Sequence, residues 1–364
     1  MVYKVIGIMS GSSVDGLDIA YINLHETGGK WSYEIVAVNC YAYSKDWKNK
    51  LNNAIQLSAL EYLLLNNQYG HYIGQQINTF IETNNLQRKV DLIISHGHTS
   101  FHLPDQRITA QLGDGAAIAA ITQLPVVNDL RTLDIAYGGQ GAPLVPIGEK
   151  LLFQGFDYYL NIGGIANISI NNNGTYIAFD ICAANKVLNM LTEEKGFDYD
   201  DKGKIAASGS IDKDLLDKLN SLEYYQQSFP KSLANSFGTD IIYPLIKKYT
   251  TSVEDGLRTY VEHIVIQITN AINKVGITEK ENFKLLVTGG GALNTFLIER
   301  LQSLLQAHSI EVVVPDEKLI QYKEALIMAL IGTLRWREEV NVLASVTGAT
   351  QNSIGGALWM GGEI

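Results

Sequence analysis

Apolar and polar positions alternate through residues 2–9, 17–24 and 33–43, predicting three successive β-strands, the last interrupted at Asn39. Helical spacing of apolar residues predicts helices over 51–65 and 69–83. Residues 90–94 form a short apolar run that reads as a buried strand ending at Ser95-His96-Gly97. A helix start at 116–122 and a strand at 126–127 follow, and then a glycine and proline cluster, 138–143, marks a crossing or hinge. The pattern now begins again. Strands are predicted at 158–162, 166–170 and 175–179, with Gly163-Gly164 between the first two and a hairpin signal at 171–174. A long helix (256–275), a strand (283–288), a further helix, a strand (311–314) and a helix from about 322 complete the chain. Each half opens with three strands and sets a glycine-rich turn between the first two. The alternation of strands and helices predicts the α/β class, and the recurrence predicts a duplicated domain.

Composition narrows the class. The 364 residues suffice for two domains, and 46% hydrophobic with 18% charged residues describes a packed globule. A net charge of −10 excludes a non-specific nucleic-acid binder, which needs a basic face. Cys40 and Cys182 make no disulfide framework. Neither a signal-peptide pattern nor an apolar run of membrane-spanning length is visible. The expectation is a cytoplasmic protein with no membrane or nucleic-acid partner.

The turns carry the candidate chemistry. Gly11, Ser12, Ser13, Asp15 and Gly16 join the first two strands. Successive amides and serine hydroxyls in such a turn can cradle phosphate, and Asp15 or Asp18 can hold Mg²⁺. A P-loop is excluded, because Leu17-Asp18 stands where Lys-Ser/Thr is required and a strand, not a helix, follows. A plain polar β-turn remains the alternative for this stretch taken alone. Gly163-Gly164 repeats the device in the second half, and Gly289-Gly290-Gly291 follows a strand where backbone can lie close to a base or ribose. Three such turns at the ends of apolar strands favour a nucleotide held between two domains. His96-x-His98-x-x-x-His102 also admits a metal-dependent hydrolase, but a metal site needs further ligands and the only histidines after this cluster are His263 and His308.

Longer motifs make the reading specific. Met-Ser-Gly-Ser-Ser-Val-Asp-Gly-Leu-Asp (9–18) resembles the opening motif of the anhydro-N-acetylmuramic acid kinases. Further matches are Ser-His-Gly-His-Thr (95–99), Gln-Leu-Gly-Asp (111–114), Asp-Leu-Arg-Thr-Leu-Asp-Ile-Ala (129–136) and Gly-Gly-Gln-Gly-Ala-Pro-Leu-Val-Pro (138–146). Asn-Ile-Gly-Gly-Ile-Ala-Asn-Ile (161–168), Ala-Ala-Ser-Gly (206–209), Pro-Lys-Ser (230–232) and Gly-Gly-Gly-Ala-x-Asn (289–294) continue the series. Lys-Glu-Ala-Leu (323–326) and Ser-Val-Thr-Gly-Ala (345–349) close it.

The resemblance implies a two-domain actin-like ATPase (ribonuclease H-like) fold with a central nucleotide cleft. Expected domains are 1–145 and 146–364, with the last helix packing back on the first. It implies a kinase that uses ATP and Mg²⁺ to open the 1,6-anhydro ring of anhydro-N-acetylmuramic acid and phosphorylate O6 in peptidoglycan recycling, working as a homodimer. Asp180 matches the base that activates water; a base must lie within hydrogen-bond reach of its proton. Arg131 and Glu324 match substrate-site residues, and Glu324 is expected at the start of a helix, where amides favour a carboxylate. His96 and Asp114 join them on the sugar side. Gly11, Ser12, Ser13, Asp15, Gly16, Gly163, Gly164, Asn167, Gly289, Gly290, Gly291 and Asn294 fall to the nucleotide, with Asp15 toward Mg²⁺, directly or through water.

One departure stands out. After Asp180 the family carries Thr-Gly-Pro-Gly-Asn, whereas this chain has Ile181-Cys182-Ala183-Ala184-Asn185. The alanines add Cβ atoms where family backbone is expected to need positive φ or close approach to a ligand. A catalytically altered nucleotide-binding protein on the same fold, or a kinase for a related sugar, is therefore the alternative.

Overall fold

The alternating segments pair as two separate sheets in the computed structural model, which describes residues 1–11, 13–172, 174–229, 231–234, 236–250, 252–276 and 282–362. Its contacts divide the chain into unit 1, Met1–Gln154 with Tyr322–Ile364, and unit 2, Gly155–Gln321.

Unit 1 contains β1 (Val2–Ser10), β2 (Gly16–Thr27), β3 (Lys30–Ala42), β4 (Leu92–Leu103), β5 (Ile108–Leu112), β6 (Val126–Asn128) and, from the chain's end, β12 (Ala357–Trp359). The sheet order is β12-β6-β4-β1-β2-β3, with β5 paired to β4. β2 runs antiparallel to β1 and β3, while β1, β4 and β6 are parallel. Ile6, Ile8 and Ile93 point to one face and pack with Leu65, Tyr69, Ile73, Ile77 and Phe80 of the helix Ala59–Thr83. Gly7 and Ile94, register partners on the other face, meet Ala325 and Gly332 of the helix Glu317–Trp336. Period-2 alternation in β1 thus places one helix on each side of the strand.

Unit 2 contains β7 (Tyr158–Ile162), β8 (Ile165–Asn172), β9 (Thr175–Ala183), β10 (Phe283–Thr288) and β11 (Ile310–Val313), in the order β11-β10-β7-β8-β9. Here too the second strand is the antiparallel one, and β7, β10 and β11 are parallel. Leu160 and Ile168 pack with Tyr260, Ile264 and Ile268 of the helix Val253–Val275. Both units therefore show the order third-second-first-fourth strand and onward, with an antiparallel second strand. This is the ribonuclease H-like α/β arrangement, present twice.

Several elements differ from the sequence expectation. Residues 59–83 form one helix, not two: Ser58 and Glu61 make a reciprocal capping box at its start, and the polar run at 66–68 lies on the helix. β4 continues to Leu103 and is matched by β5. β9 extends four residues beyond Phe179. The last long helix starts at Glu317 and is kinked at Tyr322 (φ −115°, ψ 15°), so Glu324 lies two residues past a kink and not in a first turn. The chain divides after Gln154, beyond the expected 145, because the helix Val145–Leu152 belongs with β3 in unit 1. Unit 1 also takes in the segment Tyr322–Ile364.

Candidate active site

In unit 1 the turn after β1 is held from beneath. Tyr43 Oη donates to Ser10 Oγ (2.8 Å), Tyr69 Oη lies against Tyr43 Oη, and Ser10 Oγ meets His98 Nδ1 (3.0 Å). All four side chains are buried. Above them Gly11 accepts from Val14 N, and buried Val14 takes a left-handed φ of 55°. A β-branched residue in that region is strained, which a tightly specified loop can hold. Ser13 and Asp15 are exposed and Gly16 is buried; Ser12 lies outside the described residues. Asp18 reaches solvent only in part; desolvation raises its carboxyl pKa, and the neighbouring Cys40 thiol and Asp15 charge act in opposite directions on it.

The sugar-side candidates of unit 1 are tied together more closely than their spacing suggests. Arg131 follows β6 and donates from Nε to His96 Nε2 (2.9 Å) and from Nη1 to the Gly141 carbonyl (2.5 Å). Because His96 Nε2 accepts, its proton sits on Nδ1, 2.9 Å from the Gly97 carbonyl. Burial, then the Arg131 charge, holds the His96 pKa down to about 3, so the ring is neutral. Burial also draws Arg131 down to about 10, against the pull of Glu324 and Asp134. Glu324 reaches solvent, yet desolvation by its dense surroundings raises its pKa; Lys323 and Arg131 counter this and Asp18 adds to it. Beside it Lys323 and Glu149 form a buried ion pair (2.8 Å). Asp114 caps the helix Gly115–Thr122, accepting from Ala117 N (2.8 Å). Among the described residues no group of three or more His, Cys, Asp or Glu is placed to hold a metal, so His96 and His98 have no further ligands there.

In unit 2 the two glycine turns are neighbours. They follow β7 and β10, which are adjacent and parallel, with Thr288 beside Asn161. Close approach requires glycine in the second turn: a Cβ on Gly289 (φ 81°) would fall 2.6 Å from Asn161 Oδ1, and one on Gly291 2.2 Å from Ile162 Cγ2. Asn185 Nδ2 donates to the Ile162 carbonyl, and the Gly163 and Gly164 carbonyls accept from the amides of Asn185 and Ala184. Asn294 caps the helix Thr295–Gln306 through Leu297 N (3.1 Å).

Asp180 lies inside β9. The register pairs Asn161 with Asn167 and Asn167 with Asp180, so these three side chains share one face in a polar row across β7, β8 and β9. The next pair is Ala166 with Cys182, which makes Ile181 the extra residue of a β-bulge. Such a bulge re-aims the neighbouring side chains. Asp180 Oδ2 accepts from Leu233 N (2.9 Å), its amide donates to the Lys231 carbonyl (3.1 Å), and its carbonyl accepts from Tyr224 Oη (2.7 Å). Desolvation raises its pKa, and the Leu233 amide partly offsets that.

The departure after Asp180 is absorbed by packing. Ile181, Cys182, Ala183 and Ala184 are all buried, and Tyr260 Oη donates to the Ala183 carbonyl (2.7 Å). Neither alanine is among the positive-φ residues, and Ala184 has φ −133°. The expected need for positive φ at these positions is not met in this chain. Asp134, Thr347, Asn161 and Asn185 were not assigned roles from sequence, although all four lie within or beside motifs that the sequence displays.

Comparison with known proteins agrees with this chemistry. The family described as "Anhydro-N-acetylmuramic acid kinase" matches residues 3–361. Proteins of that name from Vibrio parahaemolyticus and Francisella tularensis subsp. novicida are each 32% identical, over 97% of this chain and 97% of their own length. One from Bacillus thuringiensis subsp. konkukian is 29% identical over 96% of this chain and 97% of its own. Fold and relatives together define an α/β phosphotransferase that acts on an alcohol group and uses ATP. The chain belongs to the anhydro-N-acetylmuramic acid kinase family.

Proposed function

We propose that this protein opens the 1,6-anhydro ring of anhydro-N-acetylmuramic acid with water and phosphorylates O6 from ATP, giving N-acetylmuramic acid 6-phosphate for peptidoglycan recycling. The observation that carries the assignment is Asp180, a carboxylate in a polar row beside the Gly163-Gly164 turn, with one oxygen fixed by Leu233 N. Asp180 takes a proton from the attacking water, which bonds to C1; the C1–O6 bond breaks, and O6 attacks the γ-phosphorus as ADP leaves. One water and one ATP are consumed, and one proton is released.

Arg131 and Glu324 bind and orient the sugar, with His96 and Asp114 supporting that side. Gly11, Ser12, Ser13, Gly16, Gly163, Gly164 and Asn167 offer amides, hydroxyls and an amide side chain to phosphate. Gly289, Gly290, Gly291 and Asn294 receive the adenosine. Mg²⁺ typically takes one or two carboxylates together with substrate phosphates and water, and the exposed Asp15 at the phosphate turn fits that donor set. Bound there, it supplies charge neutralisation for phosphoryl transfer. We place the enzyme in the cytoplasm as a homodimer; two unpaired cysteines, Cys40 and Cys182, suit a reducing compartment. No helix among the described residues is long and apolar enough to cross a membrane.

The test is the reaction itself. Purified protein with ATP, Mg²⁺ and anhydro-N-acetylmuramic acid is expected to yield the 6-phosphate, and Asp180→Asn to lose roughly 10²–10⁴-fold in kcat with ATP affinity little changed. ATP binding without sugar phosphate in the wild type would leave the altered nucleotide-binding protein as the reading.

A further inference from the structure

The Ser-Val-Thr-Gly-Ala stretch (345–349) has no role in the chemistry above, yet its central residue is one of the most buried polar groups of unit 1. Thr347 is 1% exposed and donates from Oγ1 to Asp134 Oδ1 (2.7 Å). Asp134, also 1% exposed, accepts with its other oxygen from Gly141 N (2.8 Å). The backbone repeats the connection: Gln140 N donates to the Thr347 carbonyl (2.8 Å), and Thr350 N to the Tyr137 carbonyl (3.1 Å). Gly139 completes the packing, because a Cβ there would lie 2.2 Å from Asp134 Oδ2 and 2.8 Å from Ala349 Cβ. The loop at 138–141 is thus fixed on one side by a carboxylate from the helix Thr132–Ala136 and on the other by the helix Ala344–Thr347.

What the loop presents is the Gly141 carbonyl, which takes Arg131 Nη1, while His96 Nε2 takes Arg131 Nε. A guanidinium has five N–H donors in a fixed plane. Two directions fixed on Nε and Nη1 set that plane and leave three N–H groups, one on Nη1 and both on Nη2, for a ligand. We propose that Thr347 and Asp134 are positioning residues for Arg131: through Gly141 they set the guanidinium plane, with neutral His96 as the second acceptor. The inference rests on Arg131 serving the sugar, as proposed above.

Thr347→Val keeps the shape and removes the donor to Asp134. With anhydro-N-acetylmuramic acid as the varied substrate at saturating ATP, this variant is expected to lose about tenfold in kcat/KM, since small misplacements of an orienting group are costly. Its KM for ATP should match the wild type, and Thr347→Ser should restore the sugar kinetics. Asp134→Asn, which keeps shape but loses the second acceptor, should show the same split if the valine variant folds poorly. The decisive comparison is a double-mutant cycle with Arg131→Met. A device acting through Arg131 has little left to lose once Arg131 is gone, so Thr347→Val should add almost nothing in that background. Full additivity, or an equal rise in both KM values, overturns the inference while leaving the function intact. If Arg131→Met alone leaves the sugar kinetics unchanged, the assignment of Arg131 fails first and the inference falls with it.

Discussion

Asp180 stands in a row of amides on a strand whose other face joins the unit 2 core, and this placement sets its proton affinity. Desolvation raises its folded pKa above the ordinary 3.8, and only the Leu233 amide opposes the rise. The proposed base must be ionised, so activity is present above the raised pKa and lost as pH falls through it. The acid limb of kcat/KM for the sugar is therefore expected above pH 3.8, and a rate profile whose acid limb lies at or below that value would sink the assignment. Stability runs the other way. A carboxyl that binds its proton more tightly when folded destabilises the fold as pH rises through the folded pKa. Asp180→Asn, inactive by the same argument, should melt higher than the wild type at pH 7, and the gap should close below the unfolded value of 3.8. Thermal melts of both proteins across that range check the sign.

At the scale of elements, the turns were legible in the sequence and the contacts that aim the side chains were not. Gly163-Gly164 and Gly289–Gly291 announce themselves by composition, because the close approach of Gly291 to Ile162 admits only glycine. His96 with Arg131, or Thr347 with Asp134, are pairs 35 and 213 residues apart, and nothing local in one sequence points to them. The helix Ala59–Thr83 takes in the expected helix 69–83 and the second half of the expected helix 51–65, which the polar run 66–68 separates in the apolar stripe. Asn66 in fact uses that position to accept from Gly113 N and Asp114 N, tying the helix to the Gln-Leu-Gly-Asp motif. The residues that replace the family's glycines after Asp180 are buried, and none of them takes a positive φ. A buried side chain inside a strand stabilises a segment that glycine would loosen, both by packing and by restricting the unfolded state. Cys182→Gly is accordingly expected to destabilise the protein by about 2 kcal/mol in urea unfolding, without raising kcat. A glycine variant that is more stable or markedly faster would show that this position still needs the family's backbone freedom.

For the whole molecule, the order of folding units along the chain matters more than the position of any boundary. Unit 2 is one continuous segment, Gly155–Gln321, inserted between the two parts of unit 1. Its five-stranded sheet and the helix Val253–Val275 share a core drawn from within that segment, including Leu160, Ile168, Tyr260, Ile264 and Val287. Unit 1 is discontinuous, and its sheet depends on the late segment in two ways. Leu326, Ile327, Ala329 and Leu330 of the kinked helix are completely buried or nearly so, and β12 pairs with β6 at the sheet edge. A chain with its own contiguous core can fold alone, whereas one stripped of a covering helix leaves a sheet face open to water. Expressed separately, residues 155–321 should give a cooperative urea transition and native-like circular dichroism. Residues 1–154 should not, and joining them to 322–364 through a short flexible linker should restore cooperative unfolding. A cooperative transition for 1–154 alone would mean that the helix after Tyr322 is dispensable to unit 1. Failure of 155–321 to fold would mean that its core is incomplete without the rest of the chain.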